Sequence, residues 1–410
     1  MAIYNFSGTL VARDDPVFDA MVTRAYGVLP RPLCMCKPKG VEMYVARAGE
    51  RHIVKRMPDS GSLHQLACPS YESPFELSGM GEVMGTAIQT NPRDGTTALK
   101  FDFSMSGKGG SAGGTAAGGR LADQVRTDGA KLTLRGVLHF LWSEAGFNKW
   151  FPAMAGKRSW FVIRKHLMAA AQDKVVKNTR LSDLLYLPEP FTVEQKEAIQ
   201  RRRVELFQRA AMSDSGTRRF MLLVAEVKEI ADARFGKKLI VKHVPDCAFL
   251  LREDIAKRLA TRFAGELEMW NAMDDAHLLV AGTFSISANG VPTIEAMTLM
   301  LATEQWIPIE SGAENSLVDR LVTDKRQFEK GLRYNLAPSR VIASAILVDT
   351  PDPVALYVTP ADAPADFEAE LARLKHDSGI ASWTWSPSAG AMPDIPPVDG
   401  HGTSHGTPTR

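Results

Sequence analysis

Three of the chain's four cysteines lie in one short N-terminal stretch together with a histidine. Cys34 and Cys36 are separated by one residue, and His64 and Cys68 follow with three residues between them. Structural zinc sites hold the metal in a tetrahedron of four thiolate or imidazole ligands. Three thiolates and one imidazole fill that shell and leave no position for a reacting water. The spacing therefore predicts a structural zinc site formed by Cys34, Cys36, His64 and Cys68.

Other interpretations of these residues stay open at this point. His52 could supply the imidazole in place of His64. Cys34 and Cys36 could instead form a redox pair, although Cys-x-Cys is rarer in that role than Cys-x-x-Cys, or the cysteines could be buried without partners. We expect His64 and Cys68 to share one face of a helical turn, because side chains four residues apart stack there.

Composition limits the classes of protein that the chain can be. It has 410 residues, of which 45% are hydrophobic and 23% charged, and a net charge of +2. This length exceeds one ordinary core, so two or more domains are expected. The near-neutral charge means that any nucleic-acid-binding surface must be local. No run approaches the roughly 20 apolar residues that cross a bilayer, and no secretory signal pattern is present, so we expect a cytoplasmic protein without a membrane partner.

The pattern along the chain predicts a multi-domain α+β protein. Helical apolar spacing near the start gives way to short alternating runs, then to a stretch of Gly, Ser and Ala, and finally to helical stripes and further strands. The expected regions are a helical lead-in over 1–28, a small zinc-binding β-rich domain over 29–104, a Gly/Ser linker over 105–125, a basic helical region over 126–212, an α/β core over 213–385 and a disordered tail over 386–410.

Basic and aromatic residues interleave in the middle region and recur near residue 330. Ammonium and guanidinium groups neutralise phosphates, and exposed aromatic rings stack bases. Charge runs are also common on solvated helix faces, and tryptophans at helical spacing are common in cores. The candidate nucleic-acid-binding residues are Lys157, Arg158, Trp160, Arg164, Lys165, Lys330 and Arg333.

Residues 306–358 have an order that resembles the helix–hairpin core of restriction-endonuclease-like folds. Such sites hold Mg²⁺ between a helix carboxylate and a strand-end aspartate, and they use a lysine on the next strand. Glu310 or Glu314 and Asp349 fit the first two roles, but residues 355–357 supply neither acid nor lysine. We therefore expect a degenerate nuclease-like core that has lost catalysis. The alternative is a metal-dependent nuclease that takes its lysine from elsewhere, such as Lys330.

Several motifs together resemble a bacterial family that is known only as a domain of unknown function and is marked by three N-terminal cysteines. The matching segments are 33–36, 55–61, 64–71, 132–136, 141–142, 156–160, 225–229 and 330–335. The resemblance extends to about residue 385 and implies a setting on plasmids and integrative conjugative elements. It carries no established activity.

The sequence as a whole favours a non-enzymatic accessory protein of a mobile element that binds DNA or a partner protein and contains structural zinc. A metal-dependent nuclease and a protein-only adaptor are the alternatives. Mg²⁺ is expected only if the nuclease alternative holds.

Overall fold

The structure is a computed structural model that describes residues 2–48, 51–108, 129–211, 217–234, 236–287 and 289–398. Helices and strands alternate along all of these ranges. The predicted α+β class is therefore confirmed. The predicted linker lies largely at 109–128, outside the described residues.

An antiparallel five-stranded sheet forms the N-terminal region, with strand order β2-β1-β3-β4-β5. Its core contains Tyr4, Phe6 and Val11, which point inward from the first hairpin. The elements are β1 (Ile3–Phe6), β2 (Thr9–Ala12), α1 (Phe18–Ala25), β3 (Leu33–Cys34), β4 (Val41–Ala48) and β5 (Arg51–Arg56).

The first residues of the chain differ from the predicted helical lead-in. Only Phe18–Ala25 is helical, whereas β1 and β2 pair as a hairpin around Ser7 and Gly8. Both turn residues have positive φ, 51° and 96°. This is the geometry of a tight two-residue hairpin turn, which a Ser-Gly pair tolerates.

The middle of the chain contributes short strands and most of the helices. Its elements are α2 (Met80–Val83), β6 (Ile88–Thr90), β7 (Thr97–Leu99), β8 (Ser106–Lys108), α3 (Leu134–Glu144), β9 (Lys149–Trp150), α4 (Trp160–Ala171), β10 (Lys174–Val176), β11 (Thr179–Arg180), α5 (Leu181–Leu184), β12 (Leu185–Tyr186), α6 (Lys196–Ala211) and β13 (Thr217–Arg219). β10 pairs with β7, and β13 pairs with β8. Strand pairing therefore crosses the boundaries predicted around the linker.

Five strands after β13 close into a ring. They are β14 (Met221–Asp232), β15 (Lys237–Val241), β16 (Phe249–Leu251), β17 (His277–Ile286) and β18 (Pro292–Ala302). β14 pairs antiparallel with β17 through its first half and with β15 through its second half. β15 pairs antiparallel with β16, β16 parallel with β18, and β18 antiparallel with β17. Each strand has a partner on both sides, so these strands form a closed barrel.

Two helices, α7 (Glu253–Arg262) and α8 (Ala264–Ala272), connect β16 to β17. The two helices meet at Phe263, whose ψ of 28° interrupts the helical path. Ile255, Leu259 and Phe263 pack into the barrel interior with Leu239 and Phe249. The helix α7, which lies between the barrel strands β16 and β17 in the chain, therefore contributes side chains to the barrel core.

The C-terminal sheet has the strand order β23-β22-β21-β20-β9. Its elements are β19 (Pro308–Ile309), which pairs with the barrel strand β18, α9 (Gly312–Thr323), β20 (Phe328–Lys330), β21 (Ala345–Leu347), β22 (Val354–Val358), α10 (Phe367–Ser378) and β23 (Ala381–Trp385). β9 from the middle region completes this sheet at its edge.

Part of the predicted disordered tail packs against this sheet. The indole Nε1 of Trp383 donates to the carbonyl of Asp394 at 3.0 Å, and Arg326 donates to the carbonyl of Pro396 at 2.6 Å. Met392 and Ile395 contact the core. Residues 386–398 are therefore ordered, and 399–410 lie outside the described residues.

Candidate metal centre

The four predicted zinc ligands come from two separate turns. Cys34 ends β3, and Cys36 lies in the turn before β4. His64 follows a single 3₁₀ turn at Gly61–Leu63, and Cys68 lies in the next turn. The sheet thus supplies two thiols from one side, and the loop after β5 supplies a thiol and an imidazole from the other.

His64 and Cys68 do not share a helical turn as predicted. The backbone N–H of Cys68 donates to Gln65, three residues earlier, and the N–H of Tyr71 donates to Cys68. Pro69 has no N–H to continue a helix, so the chain makes successive tight turns. These turns still direct both side chains to the same point.

The ligand atoms have the separations of a tetrahedral zinc site. Cys34 Sγ lies 3.7 Å from Cys68 Sγ, and His64 Nδ1 lies 3.3 Å from Cys36 Sγ and 3.7 Å from Cys68 Sγ. Zinc bonds of about 2.3 Å to sulfur and about 2.05 Å to nitrogen give tetrahedral edges of about 3.8 Å and about 3.6 Å. The four donor atoms all lie within 4.8 Å of one another. The group therefore fits one metal ion of this size.

The structure brings His64, and not His52, to the three sulfurs. The ring of His52 packs on Tyr26, with 4.5 Å between the ring centroids. His64 is buried and presents Nδ1 to the sulfurs, while its Nε2 has no hydrogen-bond partner among the described residues. Nδ1 is therefore the atom available to a metal.

The thiols differ in their affinity for protons. A hydrogen bond between Cys34 and Cys68 raises the pKa of Cys34 and lowers the pKa of Cys68 to about 5. Burial raises the pKa of Cys34 further. The backbone N–H of Ser70 also donates to Cys68 Sγ at 3.4 Å. Cys68 is thus prepared as a thiolate, whereas Cys34 gives up a proton only when a cation compensates its charge.

The residues after the ligand loop anchor it to the rest of the protein. Glu72 pairs with Arg56 on β5. The carbonyl of Tyr71 accepts from Lys149 Nζ at 2.9 Å. The hydroxyl and N–H of Ser73 donate to Glu329 at 2.9 and 3.3 Å. A metal ion that held this loop in place would therefore also stabilise the contacts of the loop with β9 and β20.

A second contact between regions is a group of four charges that sequence reasoning missed. Lys174 is fully buried and lies 2.7 Å from Asp173 and 2.8 Å from Glu144. Lys55 on β5 contacts Asp173 at 2.5 Å. Burial raises the pKa of Glu144, but attraction to Lys174 and Lys55 outweighs it and lowers this pKa to about 2. These residues are dispersed in the sequence, and no local pattern marks them.

The carboxylates of the nuclease alternative each have a cation of their own. Glu314 lies 3.1 Å from Lys330, and Glu310 pairs with Arg333. Asp349 receives two hydrogen bonds from Arg326, at 2.7 and 3.0 Å. Among the described residues, the cysteine–histidine group is the one set of three or more potential ligands that the structure brings together. Glu310, Glu314 and Asp349 do not gather into such a set.

Several predicted nucleic-acid-binding residues have structural contacts instead. Arg158 donates to the carbonyls of Phe147 and Gln305, and burial lowers its pKa to about 10. Trp160 is buried and donates to Pro188, and Arg164 donates to Leu187. Lys330 and Arg333 are held in the ion pairs described above.

Two of the predicted residues, Lys157 and Lys165, are exposed. They lie near two exposed aromatic side chains, Phe151 and Phe161, which are 40% and 63% accessible. The predicted pattern of cations and aromatic rings is therefore present at the surface only in part, because Trp160 is buried and Arg158 is held by backbone carbonyls.

The fold and this centre together define a mixed α+β protein with a Cys₃His group that could hold a structural metal. The chain belongs to the family described as Protein of unknown function (DUF1173), whose model matches residues 4–388. The family resemblance predicted from the motifs is thereby confirmed. No curated protein and no solved structure matches the chain. Across the described ranges, none of the helices is long and apolar enough to span a bilayer.

Proposed function

We propose that the Cys₃His centre holds one Zn²⁺ and that the ion is structural. The observation that carries this proposal is the closed set of four donor atoms at tetrahedral separations. A catalytic zinc needs an open position for water or substrate, and four protein ligands occupy all positions here. The ion would join the turn after β3 to the loop after β5, where the sheet has a core of only a few apolar side chains.

We further propose that the protein binds DNA through α4 and the loop before it. Phe161 and Lys165 are four residues apart on α4 and therefore share one helix face. Lys157 and Phe151 lie in the preceding loop, and all four side chains are exposed. Lysines neutralise phosphates and exposed rings stack on bases, so this surface suits a nucleic acid.

The proposed setting is a mobile genetic element, where the protein would act as a non-enzymatic accessory factor in the cytoplasm. A reducing compartment keeps thiolates available to zinc, which supports that location. A degenerate restriction-endonuclease-like core remains our proposal for residues 306–358, and the nuclease and the protein-only adaptor remain its alternatives.

Fluorescence anisotropy on full-length protein tests the DNA proposal. Lys157→Gln/Lys165→Gln should weaken binding of a labelled oligonucleotide and flatten its dependence on salt, because counterions are released at each phosphate contact. Lys100→Gln/Lys325→Gln, at two exposed lysines elsewhere, is the matched control.

Binding that is equal in the two double variants contradicts a role for α4. Salt-insensitive capture of a protein, with no oligonucleotide binding, supports the adaptor. Cleavage of supercoiled plasmid that requires Mg²⁺ or Mn²⁺ supports the nuclease.

A further inference from the structure

The closed barrel has a recognisable connectivity. When the five strands β14 to β18 are numbered 1 to 5 along the chain, their order around the barrel is 1-2-3-5-4-1. The third and fifth strands are parallel, and two helices connect the third to the fourth. This is the arrangement of the oligonucleotide- and oligosaccharide-binding barrel, in which the second and third strands carry the ligand. Topology alone does not establish a function, so the residues on that face must carry the argument.

The second and third strands of this barrel are β15 and β16. The opposite side of the barrel is covered, since Leu222, Val224 and Leu279 pack in one core with α3 and α4. On β15 the inward residues Leu239 and Val241 are buried. Lys238 and Ile240 alternate with them and therefore face outward. On this face Lys238 and Ile240 are partly exposed and Leu250 is exposed, whereas Leu222, Val224 and Leu279 on the opposite side are buried.

We propose that the outer face of β15 and β16 binds single-stranded DNA, with Lys228 and Lys238 contacting phosphates and Leu250 lying against unpaired bases. Lys238 pairs in register with Leu250, so the cation and the apolar side chain are neighbours on the face. Leu250 is 38% exposed. Lys228 is exposed beside the irregularity in β14, between Val227 and Glu229.

The charges on this face favour phosphate. Lys228 and Lys238 form no ion pair within the described part of the chain, whereas Lys237 and Lys242 are paired with Asp232 and Glu226. Two lysines are therefore available to an anionic ligand. The carboxylate of Glu229, opposite Ile240 in the pairing register, is the opposing charge on the same face.

The apolar residues on the face select among ligands. Leu250 and Ile240 contact unstacked bases but offer no hydrogen bonds to a sugar, and this favours a nucleic acid over an oligosaccharide. A single strand exposes its bases to such side chains, whereas a duplex does not. Neither side chain can bond a 2′-hydroxyl, the group that distinguishes RNA. Single-stranded DNA is therefore the ligand that this face favours.

The experiment measures binding of a labelled single-stranded DNA 15-mer, the same sequence as a blunt duplex, and the same sequence as RNA, each between about 50 and 200 mM salt. The single-stranded DNA should bind most tightly. Lys228→Gln/Lys238→Gln should reduce the slope of log K against log salt by about 1.4, since each phosphate contact on a single strand contributes about 0.7.

Two further variants separate the contributions of charge and apolar contact. Leu250→Ser should weaken binding of single-stranded DNA without changing the slope. Glu229→Gln should tighten it. Lys100→Gln/Lys325→Gln is the control for loss of surface charge, and thermal unfolding of every variant excludes misfolding as the cause.

The possible failures are distinguishable. A duplex bound as tightly as the single strand, or an unchanged slope for Lys228→Gln/Lys238→Gln, overturns the barrel site while the α4 proposal still stands. RNA bound more tightly than DNA overturns the assignment to DNA. Loss of binding in the barrel variants but not in Lys157→Gln/Lys165→Gln supports the barrel and contradicts the α4 proposal. Absence of binding to any oligonucleotide overturns both.

Discussion

His64 Nδ1 lies 3.3 Å from Cys36 Sγ, although 28 positions of the chain separate the two residues. The β4–β5 hairpin accounts for this separation, since it carries the chain away from Cys36 and returns it to the loop that holds His64. The two halves of the metal centre are thus covalently joined through a hairpin, and the hairpin register decides whether they meet.

The first prediction concerns the metal. Protein purified without added zinc should contain one zinc per chain, and His64→Ala or Cys68→Ala should remove it and lower the unfolding temperature, because metal binding and folding are coupled at structural sites. Elemental analysis and calorimetry measure both quantities. His52→Ala is the control and should keep its zinc. Zinc lost from His52→Ala but retained by His64→Ala would contradict the assigned ligand set.

The second prediction concerns pH. The pKa of Glu144 is about 2 in the folded protein against an ordinary 4.5, so its contribution to stability is present above pH 4.5 and is lost as the pH falls toward 2. Water reaches part of the Glu144 side chain and screens its ion pairs, so Glu144→Gln should cost about 1–2 kcal/mol at pH 7, and less near pH 3.

Urea unfolding at several pH values measures this difference. The Cys₃His group is common to both proteins, so any acid sensitivity of that group cancels in the comparison. Glu76→Gln, at an exposed carboxylate, is the control and should change the stability only slightly. A constant cost for Glu144→Gln from pH 7 to pH 3 would show that its charge is not what stabilises the fold.

The third prediction concerns the buried pair of Asp349 and Arg326, whose side chains are each 5% exposed. Asp349→Asn leaves a buried guanidinium without its countercharge and should cost about 3–5 kcal/mol in the free energy of unfolding. Asp324→Asn breaks a surface pair with Arg320, where the side chains are 34% and 49% exposed, and should cost much less because water screens the pair.

Equal costs for these two variants would contradict the burial of the Asp349 pair. Asp349 is also a residue of the nuclease alternative. If Asp349→Asn abolished metal-dependent cleavage and left stability unchanged, a catalytic role would be supported instead.

The fourth prediction concerns a close approach between strands. A Cβ at Gly331 would lie 1.9 Å from the carbonyl oxygen of Ala343. Gly331→Ala must therefore displace β20 or the segment that precedes β21, and it should destabilise the protein by about 1–3 kcal/mol. Gly265→Ala is the matched control, because nothing lies within 4 Å of its Cβ in α8.

Gly265→Ala should stabilise the protein by about 0.5–1 kcal/mol through its effect on the unfolded chain. The midpoints of urea unfolding, compared at constant slope, measure both changes. A stabilised Gly331→Ala would mean that the two strands are farther apart than described.

The grouping of Cys34, Cys36, His64 and Cys68 could be predicted from the sequence, because the chemistry of a zinc site strongly restricts the residue types. The choice between His52 and His64 could not be predicted, since it depends on the packing of His52 on Tyr26 at the C-terminal end of α1. The predicted helical lead-in over 1–28 is helical only at Phe18–Ala25, because the helical spacing was extended over residues that form the β1–β2 hairpin around Ser7-Gly8.

Other features depend on contacts far apart in the chain. Individual barrel strands were predicted, yet closure depends on Leu250 pairing with Thr293, which no local pattern indicates. Arg158 lies in a basic, aromatic-rich segment that is typical of a phosphate contact. Its hydrogen bond to the carbonyl of Gln305, which is distant in the chain, shows instead that it has a structural role. The composition of residues 386–398 predicted disorder, but the anchor at Trp383 orders them.

The hydrogen bond from Ser73 to Glu329 spans 256 positions. At synthesis rates of about 5–20 residues per second, roughly 13–50 s pass between the appearance of the two residues on the ribosome. If the Cys₃His group holds the proposed zinc, the ion could bind during that interval, before the anchor of the loop to the C-terminal sheet exists. Cellular zinc supply would then influence how much of the newly made protein reaches the folded state.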